Sequence, residues 1–418
     1  IAFSGHEEVS LLSLSTADHS QAEALVGRLS AVLAERGVSV ALPSLRADAF
    51  SVDLANAVGR VRKSGFTFAP EAGSERLRRV INKGLTEEDI LAAVERAMAS
   101  GWQGVKLYLM IGHPTETMGD FEELAVLVGK IRVILRRHRG RRHVSLSISP
   151  FVPKAHTPFQ WERQDAEAET KTKLRWIQDR LRGQGVEIKY HDPAETALEG
   201  CISRGGREIA AVIEAAWRRG ARFDGWRETL DGAAWRGALE EVGLTVEEAF
   251  RARAEDEPLP WEVVSYGIPR VWFAKERRKA YEAAETAECK GVRCSACGVC
   301  DFDVLQNVLA PPPAQANTRT SEHADATEVP LSAGTPVRVS ARLRVRYAKR
   351  APLRFVGHLE MLHELDRVLR RARVPMLYSE GHNARPRLSA AAPLATGWLS
   401  ESEWLDLEVE GAWDAPAL

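Results

Sequence analysis

Residues Gly65 to Glu116 read GFTFAPEAGSERLRRVINKGLTEEDILAAVERAMASGWQGVKLYLMIGHPTE, and this stretch decides the fold. Phe66 to Ala69 is an apolar strand that stops at the turn Pro70-Glu71-Ala72-Gly73-Ser74. A helix follows, and Thr86 with Asp89 has capping-box spacing at the start of another. Val105 to Ile111 is a second apolar strand, closed by Gly112-His113-Pro114-Thr115-Glu116. Parallel strands joined by helices, each ending in a polar turn, are the repeating unit of a (β/α) barrel, and barrels place their chemistry at those strand ends.

The same alternation continues on both sides at intervals of roughly 35 residues. Upstream, residues 7–15 form a strand, Gln21 to Arg36 a helix with Leu25, Leu29 and Leu33 at spacing four, and Val38 to Leu45 a second strand. Downstream, His143 to Phe151 alternates Val144, Leu146 and Ile148, giving five barrel strands in all. A polar helix (Ala166 to Gly183), a short strand (Val186 to His191) and a mostly helical region to residue 288 come next. Trp217, Trp226, Trp235 and Trp261 are expected to anchor the packing of that region. The expected organisation is an α/β barrel part over residues 1–161, a helical extension over 162–288, a cysteine segment at 289–300, a linker at 310–335 and a small α+β domain at 337–418. The linker is rich in Pro, Ala, Thr and Ser, which cannot bury a core. The last domain opens with a strand in which Leu343, Val345 and Tyr347 alternate with Arg342, Arg344 and Arg346. Its helix, Gly357 to Arg373, carries Leu362, Leu365 and Leu369 on one face. A chain of 418 residues is long enough for two or three such domains.

The formal charge of -1 is unevenly distributed. From Arg338 to Arg387 thirteen Lys or Arg face four acidic residues, which suggests either a polyanion partner such as RNA or a solvated Arg-rich surface. Arg354, His358, Arg385 and Arg387 are the candidate phosphate contacts. No apolar run is long enough for a transmembrane helix, so no membrane association is expected. The chain opens on Ile1, and a piece of a longer protein is expected.

Four of the five cysteines crowd into Cys289-x4-Cys294-x2-Cys297-x2-Cys300. Such a group in a cysteine-poor chain points to a metal site in a reducing, cytoplasmic compartment. The C-x2-C-x2-C run suits ferredoxin-like ligation of a 4Fe–4S cluster, and four thiolates also suit tetrahedral zinc. Cys201 is expected to be a small core residue. At the strand ends, the Glu71 carboxylate can accept ribose hydroxyl hydrogens, or simply cap the next helix. Gly112 allows close backbone approach to a flat ligand such as adenine. Glu116 is expected to hold its turn, and His113 to be solvated.

On the strings EAGSERLRRVINKG, GHPTE and FVPKAHTPFQW, the chain resembles the later part of a radical S-adenosylmethionine (SAM) enzyme core, as in methylthiotransferases and Elongator-type catalytic subunits. LPSLRAD (Leu42 to Asp48) and Ser13-Leu14-Ser15 are similar to earlier strand ends of radical SAM proteins with a cobalamin-binding domain. RVRYAKRAPLRFVGHLEMLHELDRVLRRARVPMLYSEGHNARPRLS resembles the radical-SAM-linked domain often fused to them. The resemblance implies a partial (β/α)6 TIM-like barrel, and SAM held by Glu71, Ser74, Gly112, Arg46, Ser13 and Ser15. It also implies a full-length enzyme that cleaves SAM to a 5′-deoxyadenosyl radical, for methylation or methylthiolation of an RNA or ribosomal target, with cobalamin bound upstream. The C-x3-C-x2-C loop that holds the radical-generating cluster does not occur in these residues, so this stretch alone is expected to be inactive. The competing expectation is a noncatalytic RNA-binding protein with a structural zinc site.

Overall fold

The computed structural model describes residues 4–12, 19, 21–34, 38–41, 65–138, 140, 142–289, 294–306, 340–379 and 385–411. The chain divides into two compact units, one of Ile1–Ser44, Ser51–Lys63 and Pro312–Leu418, the other of Leu45–Phe50 and Ser64–Pro311. Among the described residues no helix is long and apolar enough to cross a membrane. The cofactor candidates Ser13, Ser15 and Arg46 and the linker at 310–335 lie outside the described residues.

In the first unit β1 (Glu8–Ser10) and β2 (Ser39–Ala41) pair in parallel around α1 (Ala22–Ala34). Leu33, Val38 and Val40 form their small core, while Leu25 is 44% exposed and Val26 takes the buried place expected of it. These strands form a sheet of their own. The same unit holds an antiparallel sheet in the order β7-β9-β8, made of β7 (Ser340–Lys349), β8 (Leu388–Ala390) and β9 (Ser400–Glu410). It packs on α11 (His358–Arg371) through Leu369, Leu405, Leu407 and Val409.

The second unit is built on four parallel strands in chain order: β3 (Gly65–Glu71), β4 (Gly104–Ile111), β5 (His143–Pro150) and β6 (Val186–Tyr190). Five strands of one barrel were expected; among the described residues Val186–Tyr190 completes this sheet, and the first two strands pair with each other. Helices α2 (Glu75–Val80) and α3 (Glu87–Ala99) connect β3 to β4, α4 (Met118–Arg137) connects β4 to β5, and α5 (Glu167–Leu181) connects β5 to β6. The alternation of β4 and β5 puts Leu107, Leu109, Leu146 and Ile148 on a face from which water is excluded. α4 packs along β5 and buries Phe121, Leu124, Leu127, Val128, Ile131 and Leu135, each worth about 1.5–3 kcal/mol of transfer free energy. Thr86 and Asp89 do form the expected capping box of α3.

Five helices follow: α6 (Pro193–Arg204), α7 (Ile209–Arg218), α8 (Gly232–Val242), α9 (Val246–Phe250) and α10 (Arg270–Tyr281). They belong to the same unit as the sheet, because Trp161 packs with Leu259 and Phe273 in one buried cluster. Buried Arg204 on α6 is held by the carbonyls of Ala249 and Arg251. The expectation that tryptophans anchor this region fails for Trp217 and Trp226, which are 56% and 68% exposed; the core of α6 to α9 is made instead by small residues such as Ala215, Ala216 and Ala238 with Val212. Cys201 is buried in that core as expected, and burial pushes its thiol up to about 11.

Candidate functional site at the strand ends

At or after the end of each of β3, β4 and β5 stands a non-glycine residue in the left-handed region: Glu71 at φ 66°, Thr115 at φ 66° and His156 at φ 54°. Such conformations cost about 1–3 kcal/mol each and persist where surrounding contacts impose them, often at functional sites. Two charge networks tie these loops to one another.

Asp120, in the first turn of α4, organises the first. Its carboxylate accepts from Ser74 Oγ at 2.6 Å, from Arg76 Nη2 at 2.6 Å, and from both the amide and the hydroxyl of Thr117 at 2.8 Å. Burial alone would raise the Asp120 pKa, but these hydrogen bonds, that of Arg76 foremost, hold it below the usual carboxylate range. Arg76 also donates to the Thr115 carbonyl at 2.8 Å, so the loops after β3 and β4 are tied through one guanidinium. Gly73 is required at this junction, since a Cβ there would stand 2.3 Å from Leu124 Cβ.

The second network fixes the turn after β4. Both carboxylate oxygens of Glu116 accept from the Gly112 amide, at 2.9 and 3.0 Å, so Glu116 holds its turn as expected. Lys173 of α5 bonds Glu116 at 2.7 Å and Asp165 at 2.6 Å. Burial would lower the Lys173 pKa, but the two carboxylates keep it above the usual lysine range. Gly112 sits at φ 87°, and a Cβ there would meet Asp165 Oδ2 at 2.8 Å.

Within this frame the expected site residues separate. Glu71 ends β3 with its side chain 27% exposed and its carboxylate 3.4 Å from Lys83 Nζ. Ser74 has no exposed surface, and its hydroxyl donates to Asp120 and accepts from the Leu77 amide. In this arrangement its side chain caps α2. His113 was expected to be solvated and is instead 4% exposed. Its Nε2 lies 3.4 Å from the Glu71 carbonyl, its ring centroid 5.6 Å from that of Phe151, and its Nδ1 has no partner. Burial pushes its pKa down to about 4, so the ring is neutral at pH 7. Phe159 meets Phe151 edge-on at 5.9 Å. Glu71, His113 and Phe151 thus combine a hydroxyl acceptor, an unsatisfied ring nitrogen and a flat apolar surface. Asp120, Arg76, Lys173 and Asp165 were not singled out from sequence, although Thr117-x-x-Asp120 has legible capping-box spacing.

The four cysteines stand differently. Cys289 and Cys294 are exposed and Cys297 and Cys300 half-buried. The Ala296 amide donates to Cys294 Sγ at 3.2 Å. No three His, Cys, Asp or Glu side chains among the described residues are gathered as metal ligands. A C-x3-C-x2-C triad is not among this chain's residues, which therefore do not fit the radical-generating cluster. A cavity of about 480 Å³ lies among α6, α8, α9 and residues 163–168, which lead into α5, and is lined by Leu198, Cys201, Trp235, Leu239 and Phe250.

In the terminal domain the basic strand is answered by an acidic one. Asp406 of β9 accepts from Arg344 at 2.7 and 2.9 Å and from Arg342 at 3.1 Å, while Arg387 donates to Glu408 at 2.9 Å. The positive excess counted to Arg387 stops just short of Glu401, Glu403, Asp406, Glu408 and Glu410. Of the four candidate phosphate contacts, Arg387 is ion-paired and Arg354 lies over the exposed Phe355 ring at 4.6 Å. His358 opens α11, and the backbone of Arg385 exchanges hydrogen bonds with Ser379.

Comparison with known proteins accords with the geometry. Residues 1–128 match the family model of the Radical SAM superfamily, and residues 342–418 match that of an uncharacterized protein conserved in bacteria (DUF2344). The first match implies a partial TIM-like α/β fold, consistent with the parallel sheet and its helices. An uncharacterized protein of Methanocaldococcus jannaschii is 33% identical over 207 residues, which is 50% of this chain. The match spans 43% of that relative's length.

Proposed function

We propose that the ends of β3, β4 and β5 hold the adenosine portion of SAM in a radical SAM enzyme. The observation that carries this reading is the pairing of the partly open Glu71 carboxylate with buried His113, whose Nδ1 lacks a partner. Glu71 would accept ribose hydroxyl hydrogens, His113 would bond the adenine edge, and Phe151 would stack on its face. Glu116, Lys173 and Asp120 keep the two turns in place. When bound, SAM would supply the precursor of a carbon radical. Arg46, Ser13 and Ser15 remain proposed contacts to the methionine part, through a guanidinium fork on carboxylate and hydroxyls on the amine. Cobalamin, a metal at the four cysteines, and modification of an RNA or ribosomal target belong to the same proposal. RNA is favoured by Arg354 over Phe355 and by Trp398, 66% exposed, in the loop whose Gly397 amide donates to the Arg354 carbonyl.

Equilibrium dialysis of 5′-deoxyadenosine against the full chain tests the site without the methionine half. Binding is expected, with a loss of about tenfold in Glu71→Gln and in His113→Phe, the size of one charge-assisted or buried hydrogen bond. Equal affinity in both variants, or no binding by the parent chain, would overturn the assignment. Iron, sulfide and zinc analysis of anaerobically purified protein tests the cysteine segment, and a metal-free sample contradicts that part.

A further inference from the structure

The four-stranded sheet is apolar on one face only. Across the strands Thr67, Lys106, Ser145 and Glu187 stand in one row, Tyr108, Ser147 and Lys189 in the next, and Met110 with Ser149 in a third. In-register residues of parallel strands share a face, so these rows, Met110 apart, form one polar surface opposite Leu107, Leu109, Leu146 and Ile148; within it Ser145 and Ser147 are each 8% exposed. A parallel sheet covered on both faces reads as near-continuous apolar runs, and a closed barrel fills its interior with branched apolar side chains. Val105-Lys106-Leu107-Tyr108-Leu109 and Val144-Ser145-Leu146-Ser147-Ile148 do neither. Their polar face is composed to meet something polar.

Charge indicates what it meets. Lys189 is neutralised by Glu187 at 3.1 Å. Lys106 has no acidic partner among the described residues; its Nζ lies 3.1 Å from the Tyr108 hydroxyl and 4.5 Å from that ring's centroid. Tyr108 keeps 40% of its surface open, and Ser147 is its in-register neighbour. The Lys106 residue is half-buried, and its charge is left to be met by an anion from outside the described residues.

We infer that this face binds an oxyanion of the substrate, a phosphate or a carboxylate, with Lys106 supplying the charge and the hydroxyls of Tyr108 and Ser147 the hydrogen bonds. The inference rests on the strand-end reading above, because it assigns the substrate's anionic group to the sheet whose ends would carry adenosine.

Lysine footprinting of the full chain with a water-soluble acetylating ester, read by peptide mass spectrometry, tests it. Inorganic phosphate and succinate are the two probes, and Lys171 on α5 is the internal reference. One or both anions are expected to slow acetylation of Lys106 about tenfold relative to Lys171, in line with a charge-assisted hydrogen bond. Protection by phosphate alone assigns a phosphoryl group, by succinate alone a carboxylate, and by both an unselective oxyanion site. Protection by neither overturns the inference, as when another stretch of chain covers the face. In Tyr108→Phe the protecting concentration should rise by about tenfold; an unchanged concentration removes Tyr108 from the site. The readings fail separately, since 5′-deoxyadenosine binding without Lys106 protection sinks only this inference, and protection without 5′-deoxyadenosine binding sinks the adenosine assignment.

Discussion

Asp120 and Asp406 both take hydrogen bonds from arginine, and both are held below the usual carboxylate range, yet they do different work. Asp120 is 4% exposed and joins four donors from α2, its preceding turn and the loop after β4. Asp406 lies on a strand face where Arg342 and Arg344 keep most of their surface in water. The buried carboxylate fixes the relation of the loops after β3 and β4, whereas the outer one balances a basic strand. A shift in pKa alone therefore identifies neither a site nor a stabilising contact; the number and burial of the donors decide.

Removing the buried acceptor should show the contrast most strongly. Asp120→Ala leaves Ser74, Arg76 and the Thr117 amide without their common partner. It is expected to cost about 3 kcal/mol in urea unfolding, as breaking a buried ion pair does. A loss too small to measure would make the two aspartates equivalent.

His113 gives a smaller effect with a definite sign. Its folded pKa of about 4 lies below the ordinary value of 6.5, so the unfolded chain binds more protons between the two. Its contribution to stability is therefore fully present above pH 6.5 and is lost as pH falls toward 4. Between pH 7 and pH 5 the parent chain should lose about 2 kcal/mol more than His113→Phe. Parallel pH profiles for the two proteins would show that the ring is not held neutral by burial.

The smallest effect belongs to the strand face. Arg344→Ala should leave the unfolding midpoint close to that of the parent and reduce what little difference exists when salt is added, because exposed pairs are weak and screened. A loss as large as that of Asp120→Ala would erase the comparison.

Much of this was legible in the sequence where periodicity and turn chemistry agree. β3, β4, β5, the capping box of α3 and the turn-holding role of Glu116 follow from local patterns. The standing of Ser74 and His113 does not, because their partners are Asp120, Glu71 and Phe151 on other strands and helices. The polar residues that look like ligands in a string can be spent on backbone and loop contacts, as the Ser74 hydroxyl is. The pairing of the terminal domain's basic strand is hidden for a related reason: Asp406 and Glu408 lie far along the chain but next to Arg344 and Arg387 in the sheet. Trp217 and Trp226 show the converse, since large apolar side chains need not be core where alanines pack closely.

Photo-crosslinking tests most directly whether adenosine sits at the ends of β3, β4 and β5. An 8-azidoadenosine analogue of SAM, irradiated with the full chain and mapped by peptide mass spectrometry, should label peptides within residues 71–83, 112–117 or 151–159. Labelling should be suppressed by 5′-deoxyadenosine. Adducts confined to the cavity among α6, α8 and α9, or labelling that 5′-deoxyadenosine does not suppress, would contradict the account.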